Sequence, residues 1–558
     1  MKDKTRREFL KDGLALTAGA VASGVLGSPN SATAKSTGKG KRSASSNKNG
    51  QKRNNIVLII TDQQRQDQHW PTGWIEEHMP TMDRLQKHGV TFANNFTAAS
   101  ACSPSRASFL TGVYPSVHGV TQVPPNPPMR SDITNIFKLA EQAGYDIAYK
   151  GKMHLFTPQS SPSMDSFASY DIKWASDHYH AHRWNPPDCA VDIGGNAWIG
   201  GGWPSNDARF VTGVPDSYNR MTPAVGGGET IFEYLDKHDP DEDNPFLLVC
   251  SFGNPHDICV WPDQDKWGYD KANYANLKEI NLPHNYDDDL KEKPSAQKEY
   301  QKLCGKVSTC PTKQDRIEYC RFYAHLHTIV DKQIAAVLDK LDEKGLTDDT
   351  VIFRFADHGE QSWSHQMTQK GVNSYQETIN VPLVISNPKL FPEGKTTASF
   401  SSLIDLVPTV AELTGAASPE ELKSMGICGK SLVPVMHDVN ASVRDNIMFF
   451  TEDCAFFFDS LLGMKNVFET IPGKIRSIRF EDWMYAVYFT DKGTKIQYEM
   501  YNLTDDPGQM INLAWGSRRR ANQAQMQKLH EMLTAELITF KALPDSFQWP
   551  AKAGTESV

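Results

Sequence analysis

The sequence has no stretch of eighteen or more apolar residues, so it offers no candidate for a membrane-crossing helix. It also lacks a surplus of positive charge, with 58 Lys and Arg against 67 Asp and Glu for a net −9. Nothing in that balance suits a general polyanion binder such as a nucleic-acid protein. Cysteine is scarce: nine in 558 residues cannot make a disulfide scaffold, and an odd number leaves at least one without an intramolecular partner. Cys304, Cys310 and Cys320 are close enough in sequence for a bridge in an oxidising compartment, with the pairing open. No internal repeat is visible.

At this length two domains are expected, and a 39% hydrophobic, 10% aromatic composition is that of a globular enzyme. Residues 1–34 read as an address. Thr5-Arg6-Arg7-Glu8-Phe9-Leu10-Lys11 is a twin-arginine pattern, followed by a mildly apolar run and by Ala32-Thr33-Ala34 as a small-residue cleavage site. The expected partner of this signal is the Tat translocase, and the expected location is periplasmic or secreted, with no membrane span in the mature chain. Residues 35–53 carry seven basic and no acidic residues, the composition of a flexible linker. With +2 on the signal and +7 on the linker, the body from Asn54 onward carries −18. Any anion site in that body must concentrate its cations locally.

Between residues 54 and 445, apolar runs alternate with helical spacing. Ile56–Ile60, Phe246–Cys250, Val351–Phe353 and Val381–Ile385 read as buried strands, and His325–Lys344 as a helix. This rhythm predicts an α/β domain with a mainly parallel sheet, whose ligands sit beyond the carboxyl ends of the strands. Residues 446–558 predict a second, smaller domain. Alternating residues at Lys474–Asp491 and Gln497–Leu503 suggest an antiparallel sheet, followed by a helix over about Arg518–Leu543. Two segments break the rhythm, Pro158–Asp216 and Pro262–Thr312, and loops so long are usually functional or disordered.

Cys102-Ser103-Pro104-Ser105-Arg106 is the most specific string in the chain. Pro104 suits the first turn of a helix, so Cys102 would feel the positive end of that helix and a nearby Arg106, both favouring thiolate. Asp62 and Asp357-His358 each follow a predicted strand, and together they make a site for a hard cation. Lys152 and His154 lie two apart, so an extended backbone would aim both the same way. His256 follows the Phe246 strand, and Lys370 lies twelve residues after His358.

These strings resemble the type I sulfatase family. The match is carried by Cys-x-Pro-x-Arg at Cys102–Arg106, Gly151-Lys152-Met153-His154, Pro255-His256, and Tyr501-Asn502-Leu503-Thr504-Asp505-Asp506-Pro507-Gly508. The resemblance implies an alkaline-phosphatase-like mixed sheet flanked by helices, with a smaller C-terminal antiparallel-sheet domain. It implies that Cys102 is oxidised to formylglycine by a formylglycine-generating enzyme, and that one hydroxyl of its hydrate attacks sulfur. Asp62, Gln63, the modified Cys102, Asp357 and His358 would hold Ca²⁺, or Mg²⁺, which polarises a sulfate oxygen. Arg106 would order the hydrate, Lys152 and Lys370 would bind the non-bridging oxygens, His256 would protonate the leaving alkoxide, and His154 would take a proton to expel sulfate. Many members carry two adjacent aspartates where this chain has Asp62-Gln63, which resembles choline-sulfatase-like and phosphonate-monoester-hydrolase-like members and leaves the substrate class open.

A sulfated carbohydrate is the first expectation for substrate and a small sulfate ester the second. Trp174, Tyr179, Trp184, Trp198 and Trp203, with His178, His180, His182 and Arg183 among them, either form a platform for a sugar ring or pack a long loop. The rival readings are a phosphonate or phosphate ester hydrolase on the same scaffold, and a non-catalytic glycan-binding protein in which Cys102 stays a thiol. Because twin-arginine export carries folded chains, oxidation of Cys102 is expected before export.

Overall fold

The computed structural model describes residues 52–123, 127–156, 164–185, 210–213, 229–242, 244–452 and 471–554. The signal and most of the linker expected at residues 1–53 lie outside these. By its contacts the chain divides into Met1–Lys52 and Arg53–Val558, and the second unit is described below.

Among the described residues, nine strands precede residue 446: β1 (Asn55–Asp62), β2 (Gly89–Phe92), β3 (Asn95–Phe96), β4 (Asp146–Gly151), β5 (Phe246–Pro255), β6 (Thr350–Ala356), β7 (Leu383–Ser386), β8 (Lys395–Thr397) and β9 (Ser401–Ser402). Seven of them form one sheet in the order β4-β5-β1-β6-β7-β2-β8. β4, β5, β1 and β6 run parallel, whereas β7 is antiparallel to both β6 and β2. The sheet is therefore mixed, parallel where the site lies.

The strands are apolar at consecutive positions because helices cover both faces. In β1, Ile56, Leu58 and Ile60 enter one core and Val57 and Ile59 the other. The first core is closed by α1 (Cys102–Thr111), α2 (Ile136–Gln142) and α4 (Leu406–Thr414); the second is closed by α3 (Lys313–Glu343). α3 starts a dozen residues earlier than its apolar spacing suggested, where Thr312 and Asp315 form a reciprocal capping box.

β10 (Asn446–Thr451), β11 (Lys474–Phe480), β12 (Trp483–Phe489) and β13 (Ile496–Asn502) make a four-stranded antiparallel sheet in sequence order. Alternation again sorts its side chains. Tyr485 and Val487 face Met526, Leu529, Leu533 and Leu537 of α5 (Gln523–Thr539), while Met484, Ala486 and Tyr488 face Tyr300, Leu303 and Tyr375. The expected terminal helix is thus two, Gly516–Ala521 and α5, separated at Asn522. The segment from Pro262 to Thr312 is an ordered wedge, containing a helix at Ser295–Val307 whose Tyr300, Leu303 and Cys304 are buried.

Candidate active site

Because β4, β5, β1 and β6 run parallel, their carboxyl ends share one rim. Asp62 ends β1, Asp357 and His358 follow β6, His256 follows β5, and Lys152 follows β4. Cys102 is the first residue of α1, with Ala101 as its cap. Its sulfur lies 3.7 Å from Asp62 Oδ1 and 3.1 Å from His358 Nε2. His358 Nδ1 donates to the Gly359 carbonyl at 3.0 Å, which leaves Nε2 turned toward the sulfur and the carboxylates. One ligand atom each from Asp62, Cys102, Asp357 and His358 lies within 4.8 Å of the others, and all four residues are buried. Two carboxylates and an imidazole suit a divalent cation, and oxidation of Cys102 would replace its soft sulfur with oxygen. The donor set therefore fits the metal that the sequence pattern implies.

Arg106 holds this set from behind. Its Nη2 donates to Asp62 Oδ2 at 3.0 Å and its Nε to Asp357 Oδ2 at 2.9 Å, while Nη1 donates to the Lys152 carbonyl and to Ser251 Oγ. These bonds tie it to the two carboxylates, to β5 and to the turn after β4, so it orders Asp62 and Asp357. Lys152 Nζ pairs with Asp62 Oδ2 at 2.6 Å. His154 belongs to the same buried cluster, yet its backbone has left the strand for the left-handed region at φ 57°. Simple alternation along an extended strand therefore does not explain how Lys152 and His154 come together.

Burial penalises every charge in this cluster, and the neighbours decide each outcome. Burial and Asp62 oppose ionisation of Cys102; Lys152, Lys370 and His358 outweigh them and lower its thiol below the ordinary value. Two lysines and His358 therefore favour the thiolate most, and Arg106 also interacts favourably with it. Asp62 stays well below the usual carboxylate range despite burial, because Lys152, His256, Arg106 and His358 surround it. Asp357 is raised by burial and by Asp62 beside it. Burial, then Lys370 and Lys152, drive His256 far below its ordinary value; burial, then Lys152 and Arg106, do the same to His154. Both imidazoles are thus held neutral. His256 Nδ1 is buried without a hydrogen-bond partner among the described residues, and its Nε2 lies 4.0 Å from Asp62 Oδ1.

Gln63 is bound into the rim through both its backbone and its side chain. Its backbone N–H donates to Asp357 Oδ1 at 3.1 Å, and its side-chain amide donates to Glu360 and to Gln369 Oε1. Lys370 Nζ donates to Gln63 Oε1. Gln63 thus carries Lys370 toward the site. Glu360 had no role in the sequence reading, although it stands two residues after His358. It also accepts from Tyr319 and from the backbone of Ser362 and Gln369, anchoring the loop that bears Lys370. Gly371 follows Lys370 where any side chain would collide with the Tyr300 ring, since a Cβ there would lie 2.2 Å from Tyr300 Cε1.

The aromatic segment packs rather than presents. Tyr179 and Trp184 are buried, and Phe156 lies against Trp174, Tyr179 and Trp184 at centroid distances of 4.6, 6.2 and 5.9 Å. These three aromatics form no open platform; Trp198 and Trp203 lie outside the described residues. Cys304, Cys310 and Cys320 are free thiols, as are all seven described cysteines. The bridge considered for them is not made.

The model of the family described as "Sulfatase" matches residues 54–416, and a model described as "N-sulphoglucosamine sulphohydrolase, C-terminal" matches residues 364–541. The choline-sulfatase of Rhizobium meliloti is 25% identical over 495 residues, covering 86% of each chain. The Delta 4,5-hexuronate-2-O-sulfatase of Bacteroides thetaiotaomicron is 24% identical over 476 residues, covering 83% of this chain and 85% of its own. Among solved structures, a 2-O GAG sulfatase superposes with a TM-score of 0.63 at 19% identity, covering 90% of this chain and 95% of its own. The phosphonate monoester hydrolase of Silicibacter pomeroyi superposes at 0.61 with 20% identity, covering 88% and 96%.

Proposed function

Because this chain belongs to the sulfatase family and is a sulfuric ester hydrolase of the alkaline-phosphatase-like superfamily, we propose that it removes sulfate from a carbohydrate, using formylglycine made from Cys102 and Ca²⁺ or Mg²⁺. The observation that carries this reading is the convergence of Asp62, Cys102, Asp357 and His358 on one point at the sheet rim. The carbohydrate is supported by the hexuronate sulfatase and the GAG sulfatase among the similar proteins.

A divalent ion held by Asp62, Asp357, His358 and the modified residue 102 would supply Lewis acidity, polarising a sulfate oxygen and favouring an ionised nucleophile. The remaining work falls to the chain's own side chains. Arg106 keeps Asp62 and Asp357 apart and aimed. Lys152 and Lys370 hold the non-bridging sulfate oxygens, concentrating positive charge inside a strongly acidic body. His256 protonates the leaving alkoxide, and His154 removes a proton from the group at residue 102 to release sulfate. The apo surroundings hold both imidazoles neutral. Binding an anionic ester against Lys152 and Lys370 would offset the repulsion from those lysines and raise the imidazoles toward working pH.

Gln63 in place of a second aspartate favours one competing reading, phosphonate or phosphate ester hydrolysis on the same scaffold. Kinetics on matched sulfate and phosphate esters test it. A higher kcat/KM on the phosphorus ester would replace the sulfatase assignment. The remaining alternative is a glycan-binding protein with an inert Cys102, against which the family match weighs. Mass spectrometry of the Cys102 peptide from the native host decides that point, since a wholly unconverted thiol would remove the enzymatic reading.

We further propose export by the Tat translocase to the periplasm or beyond, on the twin-arginine pattern at Arg6-Arg7, with a formylglycine-generating enzyme acting beforehand in the cytoplasm. An exported pool carrying formylglycine, beside an internal precursor that is never modified, would contradict this order.

A further inference from the structure

We propose that Glu141, His180 and His182 form a second metal site, taking a transition-metal dication such as Zn²⁺, remote in chemistry from the hard-cation site at Cys102. Glu141 lies in the last turn of α2, and the two histidines lie just beyond the helix at Met164–Tyr179. His180 Nδ1 is 2.5 Å from Glu141 Oε2, and His182 Nε2 is 2.9 Å from Glu141 Oε1. One ligand atom from each residue lies within 4.8 Å of the other two. Two imidazoles and a carboxylate are a borderline-soft set that suits Zn²⁺ rather than Ca²⁺.

A supporting contact orients one ligand. Ser176 Oγ lies 2.6 Å from His182 Nδ1. The hydroxyl oxygen can accept a hydrogen bond from an Nδ1–H, and Nε2 of that tautomer keeps its lone pair for an ion. The three side chains remain 32–43% exposed, so an ion can enter and water can complete its coordination. The ion would act as a staple. The chain from His182 to Asn185 runs along the outer edge of β4, with Tyr149 N–H donating to the His182 carbonyl and Gly151 N–H to the Asn185 carbonyl. That edge supports the strand leading to Lys152 and His154.

The test is a Co²⁺ titration of the intact protein in excess Ca²⁺, followed by visible absorption. The wild-type chain should show ligand-field bands that Zn²⁺ abolishes, as expected from its higher affinity for such sites. His180→Ala and His182→Ala should each weaken Co²⁺ at least tenfold, and Ser176→Ala by about tenfold. Glu141→Gln, at an exposed helix position, should do the same and keeps the test independent of folding. Zn²⁺ should raise the melting temperature of the wild type but not of His182→Ala. Absence of bands in the wild type would overturn the site. So would bands of equal affinity in a His180→Ala/His182→Ala double variant, because the ion would then lie elsewhere, with near-ultraviolet thiolate absorption pointing to Cys102.

Discussion

Two of the buried polar networks among the described residues, one at the rim around Cys102 and one where the four-stranded sheet meets the helix Ser295–Val307, differ in what is left over. At the seam, Glu499 is wholly buried and saturated. It accepts from Tyr488 at 2.6 Å, Gln297 at 2.9 Å, Tyr501 at 3.0 Å and Ser374 at 3.4 Å. At the rim, Arg106, Lys152 and two carboxylates are equally buried with Lys370 half-buried beside them, but ligand atoms of Asp62, Cys102, Asp357 and His358 converge on one point. A satisfied network holds a structure together, whereas chemistry needs charge that the fold has not consumed.

Substitutions at the two networks should separate activity from stability. Cys102→Ala should lower sulfate ester turnover by about 10⁴-fold or more while the denaturation midpoint hardly moves, since it removes the nucleophile and little packing. Lys370→Ala should cost about 10²–10³ in kcat/KM, as expected for one donor to developing charge. At the seam the pattern should invert. Glu499→Ala removes the acceptor of four buried donors and should cost about 3 kcal/mol in urea unfolding, with kcat within a few-fold of wild type in the folded fraction. Arg106→Lys keeps the charge but loses the fork between Asp62 and Asp357, so Ca²⁺ affinity measured by calorimetry should fall about 10–100-fold.

A further effect concerns pH and lies outside both networks. Burial holds His118 at a pKa of about 3, with Nδ1 accepting from Val120 N–H and Nε2 against Ser108 Oγ. Between about pH 6.5 and 3 the unfolded chain binds a proton there and the native chain does not, so stability falls as pH falls. His118→Gln should remove about 1.4 kcal/mol per pH unit from that slope, read by urea melts across the window.

The rim was more legible in the sequence than its supports. Asp62, Asp357 and His358 stand next to long apolar runs, and a strand end is where such a sheet keeps its chemistry. Cys102 to Arg106 is a dense string of unusual residues at a helix start. Glu360 and Ser251 were missed because each acts through a partner far away in sequence, and neither belongs to a recurring string. Arg106 was read only beside Cys102 for the same reason, whereas its guanidinium also reaches back to two strand ends. Of the main sheet, β2 and β8 are too short to show a period. The helix Ser295–Val307 did carry one, with Tyr300, Leu303 and Cys304 spaced on one side, but its abundant Lys, Gln and Glu disguised it as a loop.

The close fit of Gly371 under the Tyr300 ring has a consequence for engineering. The turn bearing Lys370 and the helix at Ser295–Val307 are parts of one casting, although about seventy residues separate them in the chain. Transplanting that turn into a related scaffold to alter selectivity would bring the lysine without its mould. The two segments would have to travel together.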